Sequence, residues 1–332
     1  MKFVEKYSLS NLNALKVNEK AKFYCELTKE NELVDILEFS KINNLPIILI
    51  GEGTNIVPIN SIEGLVVKNS LKGIKVIDED TTEVASGENW HDFVKWTLLN
   101  NKFGLENLAL IPGTVGAGPI QNIGAYGSEI SNSIKEVLVF NVNSNDYEIL
   151  TNEQCEFGYR TSVFKERSEL LILSVTFTTN SHAKVNTAYQ SLKDEISLQG
   201  LNDSSITPKK VFDLVVDVRK RVLPDHHVYP NVGSFFKNVF INKKDVDSLN
   251  LDAEIPTYDA GDSIKIPSAY LLEKLGWKGK RKGGVGMSAQ HSLVLVSYEQ
   301  VTGNEILSFA NEVINDVNLK TNIKLEIEPT LL

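Results

Sequence analysis

Residues that could carry chemistry lie in a few short segments of this chain, and one of these segments centres on a serine. NVGSFFKN, residues 231–238, places Ser234 between Gly233 and two phenylalanines. A hydroxyl held in such an apolar setting could act as a nucleophile or as a proton donor. A nucleophile needs a base, and His226 and His227 are near in sequence, but the GxSxG pattern of many hydrolases is absent. A buried, hydrogen-bonded serine in a strand is the simpler alternative.

An arginine and two glutamates offer charge in two other segments. FGYRTSVFK, residues 157–165, contains Tyr159 and Arg160 side by side. A guanidinium fork can bind a carboxylate or a phosphate through two parallel hydrogen bonds. In KLEIEP the two glutamates, Glu326 and Glu328, would share one face of a predicted strand. A solvent-exposed loop or strand face is the ordinary alternative for each of these groups.

Two glycine-rich segments lack lysine and arginine but are rich in main-chain N–H donors. They are GEGTNIV, residues 51–57, and LENLALIPGTVGAGPIQNIGAYG, residues 105–127, which has five glycines and two prolines. Glycine lets main-chain amides approach a ligand closely, so such segments can hold phosphates or a flat ring. Neither contains GxGxxG or GxxxxGK[ST], which argues against a Rossmann or Walker site. The pair could hold the two halves of a dinucleotide pyrophosphate, and buried packing between strands is the alternative.

Composition limits the classes of partner. The 332 residues suggest two or three domains, and a net charge of −9 with a pI near 5.2 argues against nucleic acid or an anionic membrane. Cys25 and Cys155 form no CxxC pair, which predicts reduced thiols and no metal site. The N-terminus has no apolar signal region and no run reaches membrane-spanning length, so we expect a cytoplasmic protein.

Hydrophobic periodicity predicts the elements that must position these segments. The first part has a β-α-β pattern, a β-rich part follows, and the last part mixes helices and strands. The predicted helices cover 31–44, 90–100, 207–222 and 299–317, and the clearest strands cover 21–27, 46–50, 64–69, 292–297 and the closing segment from 322. Residues 268–276 belong to the last α+β segment.

Five segments, in order along the chain, together resemble one family, the flavin-dependent UDP-N-acetylenolpyruvoylglucosamine reductases of bacterial cell-wall synthesis. They are GEGTN, GLENLALIPGTVGAGPIQNIGAYG, FGYR, GSFFKN and LEIEP. Each is weak alone, but the ordered set extends over most of the chain. A segment containing Tyr189 lies between FGYR and the LPD turn, as in the longer, type I form of the family.

The resemblance implies an α+β fold with a two-domain FAD-binding scaffold of the PCMH/vanillyl-alcohol-oxidase type and a third, α+β substrate-binding domain. The expected division is residues 1–67 and 68–213 for FAD and 214–322 for substrate, with the C-terminal strand 323–332 joining the first domain. NADPH would reduce FAD, and hydride from flavin N5 would convert UDP-N-acetylenolpyruvoylglucosamine to UDP-N-acetylmuramate for peptidoglycan. We expect a monomer that binds neither nucleic acid nor membrane.

The resemblance also implies roles for individual residues. Ser234 would be the proton donor, and Arg160 and Glu328 would stabilise the enolate. Cofactor contacts would come from Gly51, Gly53, Thr54, Asn55, Pro112, Gly113, Gly116, Asn122, Gly124 and Ala125. Substrate contacts would come from Tyr159, Tyr189, Lys237, Asn238 and Gln290, and no metal is expected.

One position departs from the family pattern, and two other functions remain as alternatives. Family members often have lysine immediately before LPD, where this chain has Val222, so Lys220 or Arg221 could supply the charge. A related flavin oxidase would act on a sugar or alcohol with oxygen as acceptor, often with the flavin tethered through His or Cys, and residues 105–127 contain neither. A serine hydrolase would combine Ser234 with one of the two nearby histidines.

Overall fold

The computed structural model describes residues 1–182, 184–202, 205–252 and 254–332, and six α-helices and twenty β-strands occur in these ranges. The helices are α1 (Leu33–Asn43), α2 (Trp90–Leu99), α3 (Gln190–Leu198), α4 (Pro208–Val222), α5 (Ser268–Lys274) and α6 (Gly303–Thr321). The strands are β1 (Val4–Ser8), β2 (Lys20–Leu27), β3 (Ile47–Ile50), β4 (Ile56–Val57), β5 (Ile62–Asn69), β6 (Ile74–Val76), β7 (Thr81–Ala85), β8 (Gly124–Ala125), β9 (Ser128–Glu129), β10 (Ile134–Asn141), β11 (Asp146–Thr151), β12 (Leu170–Thr178), β13 (Asn231–Ser234), β14 (Val239–Asn242), β15 (Tyr258–Ala260), β16 (Ser263–Ile266), β17 (Arg281–Lys282), β18 (Val285–Met287), β19 (Val294–Ser297) and β20 (Thr330–Leu331).

The four predicted helices are confirmed as α1, α2, α4 and α6, with one clear shift of boundary. Helix α6 begins at Gly303 rather than near residue 299 because Thr302 and Glu305 form a capping box. The Thr302 hydroxyl accepts from the Glu305 N–H at 3.2 Å, and the Glu305 carboxylate accepts from the Thr302 N–H at 2.8 Å. The predicted closing strand is wrong over most of its length. It is reduced to a bridge between Phe236 and Ile327 and to β20.

The chain forms two compact units, and the three-domain division stays a prediction. One unit comprises Met1–Glu5, Phe23–Glu52 and Glu63–Arg221, and the other comprises Lys6–Lys22, Gly53–Ile62 and Val222–Leu332. We call them the first and the second unit.

The first unit is built on an antiparallel sheet with strand order β11-β10-β12-β7-β6. Its central strand β12 is buried along almost its whole length, and α2 packs against it through Trp90 and Phe93, which contact Phe177. A second sheet has the order β1-β2-β5-β3, in which β3 and β5 are parallel. The segment 105–127 runs over the larger sheet's core and contributes Leu105, Leu108, Ala109 and Val115 to it.

The second unit contains a sheet with strand order β13-β19-β18-β17 and a smaller sheet with order β14-β16-β15. Helices α5 and α6 cover a core in which Trp277 packs edge-to-face on Phe309. Strand β20 pairs in parallel with β4, which links the chain's end to the segment that follows Gly53. Among the described residues, none of the helices has the length and apolarity that crossing a membrane requires.

Candidate active site

In the first unit, the glycine-rich segment 105–127 lies directly on the turn between β7 and α2. The amides of Val115 and Gly116 donate to the carbonyls of Glu88 and Ser86, both at 2.8 Å. A Cβ at Gly116 would lie 2.4 Å from the Cβ of Ser86, so no larger residue fits without movement. Part of this segment's glycine content therefore serves close packing, and its amides at 115 and 116 are already used.

The two glycine-rich segments meet in the first unit. A Cβ at Gly51 would lie 2.5 Å from Thr114 Oγ1, and the Glu52 carboxylate accepts from the side chain of Asn89 at 3.1 Å. That the two segments hold the two halves of a dinucleotide pyrophosphate stays a prediction. Gly53 belongs to the second unit, where its φ of +66° and the Leu12 carbonyl, 1.9 Å from the position of a Cβ, both demand glycine.

The other predicted cofactor residues surround this contact in the chain and differ in exposure. Gly113 is buried, and its carbonyl accepts from the Trp90 amide at 2.9 Å. Pro112 is exposed, and Gly124 and Ala125 are half-buried. In the second unit, Thr54 and Asn55 are half-buried. Small, uncharged residues with accessible main chain are what a nucleotide cofactor's pyrophosphate and flat ring require, so the surface of the first unit that carries Gly51, Pro112, Gly124 and Ala125 fits FAD.

Asn122 has a structural task that the sequence did not reveal. Its side chain is 1% exposed, donates to Glu129 at 2.9 Å and to the Gly158 carbonyl at 3.1 Å, and accepts from the Ser131 amide at 3.1 Å. These bonds attach the turn at Gly158 to the glycine-rich segment.

Arg160 lies on that attached turn and reaches back to the glycine-rich segment. Its φ is +55°, a conformation that L-residues rarely adopt, and Gly158 and Thr161 bridge the turn. Arg160 Nη2 donates to the Gly124 carbonyl at 2.9 Å, and the guanidinium carbon lies 5.2 Å from the centre of the Tyr159 ring. The first unit thus places the predicted catalytic cation on the predicted cofactor surface.

Tyr189, a predicted substrate residue, is attached to the same segment. Its ring meets Tyr126 edge-on with centroids 5.7 Å apart, and 45% of Tyr189 is exposed. Asn107 donates to the carbonyls of Tyr126 and Asn186, at 3.0 and 2.9 Å, and Asn186 donates to the Gly127 carbonyl at 3.0 Å. Sequence reasoning missed both asparagines, because their partners are distant in sequence.

In the second unit, Ser234 and Glu328 lie on adjacent segments. The Phe235 amide donates to the Leu293 carbonyl, and the Glu328 amide donates to the Phe235 carbonyl, both at 2.9 Å. Ser234 is half-buried at the end of β13, and its hydroxyl makes no hydrogen bond with any described residue. It is therefore not paired with either histidine of the His226–His227 dipeptide, as a serine nucleophile would be.

The remaining predicted substrate residues, Lys237, Asn238 and Gln290, also lie in the second unit. Lys237 forms an ion pair with Glu326 at 3.0 Å, Asn238 accepts from the Ser268 amide at 3.2 Å, and Gln290 donates to the Leu223 carbonyl at 3.1 Å. Glu326 is solvent-exposed whereas Glu328 is half-buried, so the two carboxylates differ in environment.

The LPD turn brings together potential metal ligands, although sequence analysis predicted no metal. Ligand atoms of Asp225, His226 and His227 lie within 4.8 Å of one another. The Asp225 carboxylate already accepts from the His227 amide at 2.8 Å, a bond that closes the turn. The cluster can thus be explained by local turn geometry.

Two protein-family models match this chain, one in its N-terminal half and one in its C-terminal third. A family model described as "FAD binding domain" matches residues 21–144, and one described as "UDP-N-acetylenolpyruvoylglucosamine reductase, C-terminal domain" matches residues 223–332. Curated reductases of that name are similar over their full length. The one from Paraburkholderia phymatum is 37% identical over 99% of this chain and 98% of its own, and the one from Flavobacterium johnsoniae is 36% identical over 100% of both.

A solved structure has the same fold. The UDP-N-acetylenolpyruvylglucosamine reductase from Thermus caldophilus superposes with a TM-score of 0.69 at 18% identity, covering 99% of this chain and 98% of that one. The predicted α+β class and FAD-binding scaffold are confirmed. The chain is an FAD-dependent oxidoreductase, and it belongs to the UDP-N-acetylenolpyruvoylglucosamine reductase family.

Proposed function

We propose that this protein uses NADPH to reduce UDP-N-acetylenolpyruvoylglucosamine to UDP-N-acetylmuramate, in the cytoplasm and as a monomer. The observation that carries the proposal is the bond of Arg160 to Gly124, which fixes a cation on the surface that fits FAD. FAD, when bound by the two glycine-rich segments, supplies the hydride. The predicted three domains, with boundaries near residues 67, 213 and 322, are part of the proposal.

Arg160 holds the substrate's carboxylate and stabilises the enolate. Hydride addition to the terminal carbon of the enolpyruvyl group leaves negative charge on the next carbon and on the carboxylate attached to it. Nη2 of this guanidinium donates to the Gly124 carbonyl at 2.9 Å and Nη1 donates to the Asn122 carbonyl at 3.4 Å, so the cation is held in place before the substrate arrives. Donors positioned before the reaction stabilise developing charge more than mobile ones do.

Ser234 donates the proton that completes the reduction. A hydroxyl is a weak acid, but a carbanion is a strong base, so the transfer from Oγ to carbon is downhill. The absence of a hydrogen-bond partner for this hydroxyl among the described residues supports the assignment, because nothing there competes for its proton. The serine regains its proton from solvent, which restores the resting state.

In its protonated form, Glu328 donates a hydrogen bond to the substrate carboxylate and polarises it together with Arg160. Its main chain is fixed to Phe235, the residue after Ser234, and this supports a shared task for the two side chains. The UDP part of the substrate contacts the predicted substrate residues Tyr159, Tyr189, Lys237, Asn238 and Gln290. Lys237 must exchange its partner Glu326 for the ligand, which a surface ion pair allows at little cost.

Steady-state NADPH oxidation tests the proposal. The purified protein should carry flavin and should consume NADPH only when the enolpyruvyl substrate is added. UDP-N-acetylglucosamine, which lacks the reducible double bond, is the matched control and should give no turnover. Colourless protein that fails to bind added FAD contradicts the proposal. Flavin that stays attached after denaturation, with oxygen consumed in the presence of a sugar, would favour the oxidase alternative instead.

A further inference from the structure

The first two residues of α2 hold one part of the second glycine-rich segment at three points. The indole Nε1 of Trp90 donates to the Leu108 carbonyl at 2.8 Å, and the Trp90 amide donates to the Gly113 carbonyl at 2.9 Å. Between these two bonds, the Leu110 amide donates to Nδ1 of His91 at 2.9 Å. The start of the helix therefore fixes this part of the segment at both ends and in the middle.

Leu110 has a backbone conformation that needs support. Its φ is +59°, in the left-handed region that a leucine rarely adopts. Residues strained in this way persist only where the surrounding structure imposes the conformation, and they are concentrated at active sites and ligand clamps. The bond between the Leu110 amide and His91 is a contact that imposes it here.

The residues that follow Leu110 are predicted cofactor contacts. Pro112 is exposed, and Gly113 is buried with a φ of +117°. The family model for FAD binding, which matches residues 21–144, includes both His91 and this turn. A main-chain site binds its ligand more tightly when the turn is ordered in advance, because less conformational freedom is lost on binding. The contact that orders Leu110 can therefore contribute to cofactor affinity.

The imidazole ring of His91 is itself held from the side of α4. It stacks on Phe212 with an angle of 3° between the planes and with centroids 5.4 Å apart. Phe212 is buried, so the ring lies against a fixed surface. Because Nδ1 accepts from a main-chain amide, the ring carries its proton on Nε2 and must be neutral for this bond.

The surroundings of the ring favour its neutral form. Burial lowers the pKa of His91, and the cations Lys95 of α2 and Lys220 and Arg219 of α4 lower it further, against the opposing effect of Asp92. The acceptor is therefore present at neutral pH. Protonation would place an N–H donor opposite the donor of the main chain and would break the bond.

We infer that His91 is a positioning residue for FAD, because its neutral Nδ1 holds the Leu110 amide and so keeps residues 111–113 in the conformation that contacts the cofactor. It acts through the main chain of this turn. The inference rests on the proposed function for the cofactor contacts of Pro112 and Gly113.

Titration of the flavin-free, full-length protein with FAD tests the inference. His91→Leu removes the acceptor and should weaken FAD binding about tenfold, the equivalent of one hydrogen bond. In His91→Asn the side-chain oxygen is the same number of bonds from Cβ as Nδ1 is, so this variant should recover most of the affinity. The control His182→Asn removes an exposed histidine of the same unit and should have no effect.

The pH dependence of FAD binding separates positioning from a merely structural role. Between about pH 8 and pH 5 the unsubstituted protein should lose FAD affinity toward acid, because protonated His91 cannot accept, whereas His91→Asn should lose less. Other groups that titrate in this range are common to both proteins, so the difference between their profiles belongs to His91. A residue that only stabilised the fold would lower the free energy of unfolding in His91→Leu without producing this difference.

Three results would overturn the inference. They are unchanged FAD affinity in His91→Leu, a loss in His91→Asn as large as that in His91→Leu, and equal pH dependence in His91→Asn and the unsubstituted protein. If His91→Leu does not fold, His91→Asn and its pH profile decide. FAD binding requires neither NADPH nor the enolpyruvyl substrate, so a protein whose FAD affinity depends on His91 but which never reduces that substrate refutes the proposed function alone.

Discussion

Replacing Ser234 by alanine should lower turnover without lowering the stability of the fold. The hydroxyl makes no hydrogen bond with any described residue and the side chain is only half-buried, so its removal leaves neither a cavity nor an unpaired partner. The free energy of unfolding should therefore change by no more than about 0.5 kcal/mol. Turnover should fall about 10²–10⁴-fold, the usual contribution of a positioned proton donor.

Two rapid-mixing measurements locate the defect of Ser234→Ala. Bleaching of the flavin by NADPH should proceed at the normal rate, because no proton from Ser234 is needed there. Reoxidation of the reduced flavin by the enolpyruvyl substrate should carry the whole loss. Ser234→Cys, which keeps a proton donor in the same place, should recover part of the rate.

Ser292→Ala is the matched control and should behave in the opposite way. Ser292 is 3% exposed and donates to the Ala269 carbonyl at 2.6 Å. Its loss removes this hydrogen bond of a buried hydroxyl and should lower the free energy of unfolding by about 0.5–1.5 kcal/mol, measured by urea denaturation, with normal turnover in the folded protein. Full turnover in Ser234→Ala, or equal slowing of both flavin steps, would refute the role of Ser234.

Three further predictions address the cation, the first glycine-rich segment and a buried thiol. Arg160→Lys should lower kcat about 10²–10³-fold without loss of FAD, because an ammonium cannot both donate to the Gly124 carbonyl and span the substrate carboxylate. Stopped-flow kinetics measure the rate, and titration with FAD measures cofactor binding. Gly53→Ala should lower the free energy of unfolding, measured by urea denaturation, by about 2–4 kcal/mol. Gly261 has a φ of +73° but open space where a Cβ would lie, so Gly261→Ala should lower it by only about 1–2 kcal/mol. Burial raises the pKa of Cys25 to about 12, whereas the pKa of the thiol in the unfolded chain is about 9. Between pH 9 and pH 12 the thiol is therefore protonated in the folded state and ionised in the unfolded state. The Cys25 thiol should therefore lower stability by about 1.4 kcal/mol per pH unit from about pH 9 to pH 12, and Cys25→Ala should reduce the slope by that amount and leave the equal contribution of Cys155, whose pKa burial also raises to about 12.

Most helices could be predicted because their signals are local. The apolar spacing of residues 207–222 predicted α4 to within one residue of its observed bounds. The start of α6 could also have been found, since Thr302 and Glu305 have the spacing of a capping box. The closing strand could not, because whether residues 322–329 pair depends on a partner segment nearly a hundred residues earlier in the chain.

The support of the candidate site could not be predicted from local patterns. Asn122 and the Gly158 carbonyl that it binds are 36 residues apart, and so are Arg160 and the Gly124 carbonyl. A side-chain amide can pair with almost any main-chain group, so sequence alone leaves its partner open. The resemblance to a family predicted which residues act, but not which residues hold them.

The glycine-rich segment shows why packing and function were hard to separate by sequence. At Gly116 a Cβ would lie 2.4 Å from the Cβ of Ser86 and 3.1 Å from its Cα, so the core requires this glycine. At Gly118 a Cβ would lie 2.5 Å from the terminal methyl group of Ile130, which a shift of that side chain can relieve. At Gly124 a Cβ would instead lie 3.1 Å from Nη1 of Arg160, so this glycine leaves room for the cation. The two explanations apply to different glycines of one segment. A segment packed this tightly is rigid. Because Arg160 is hydrogen-bonded to it, the guanidinium is held in place and can stabilise the developing negative charge without rearranging.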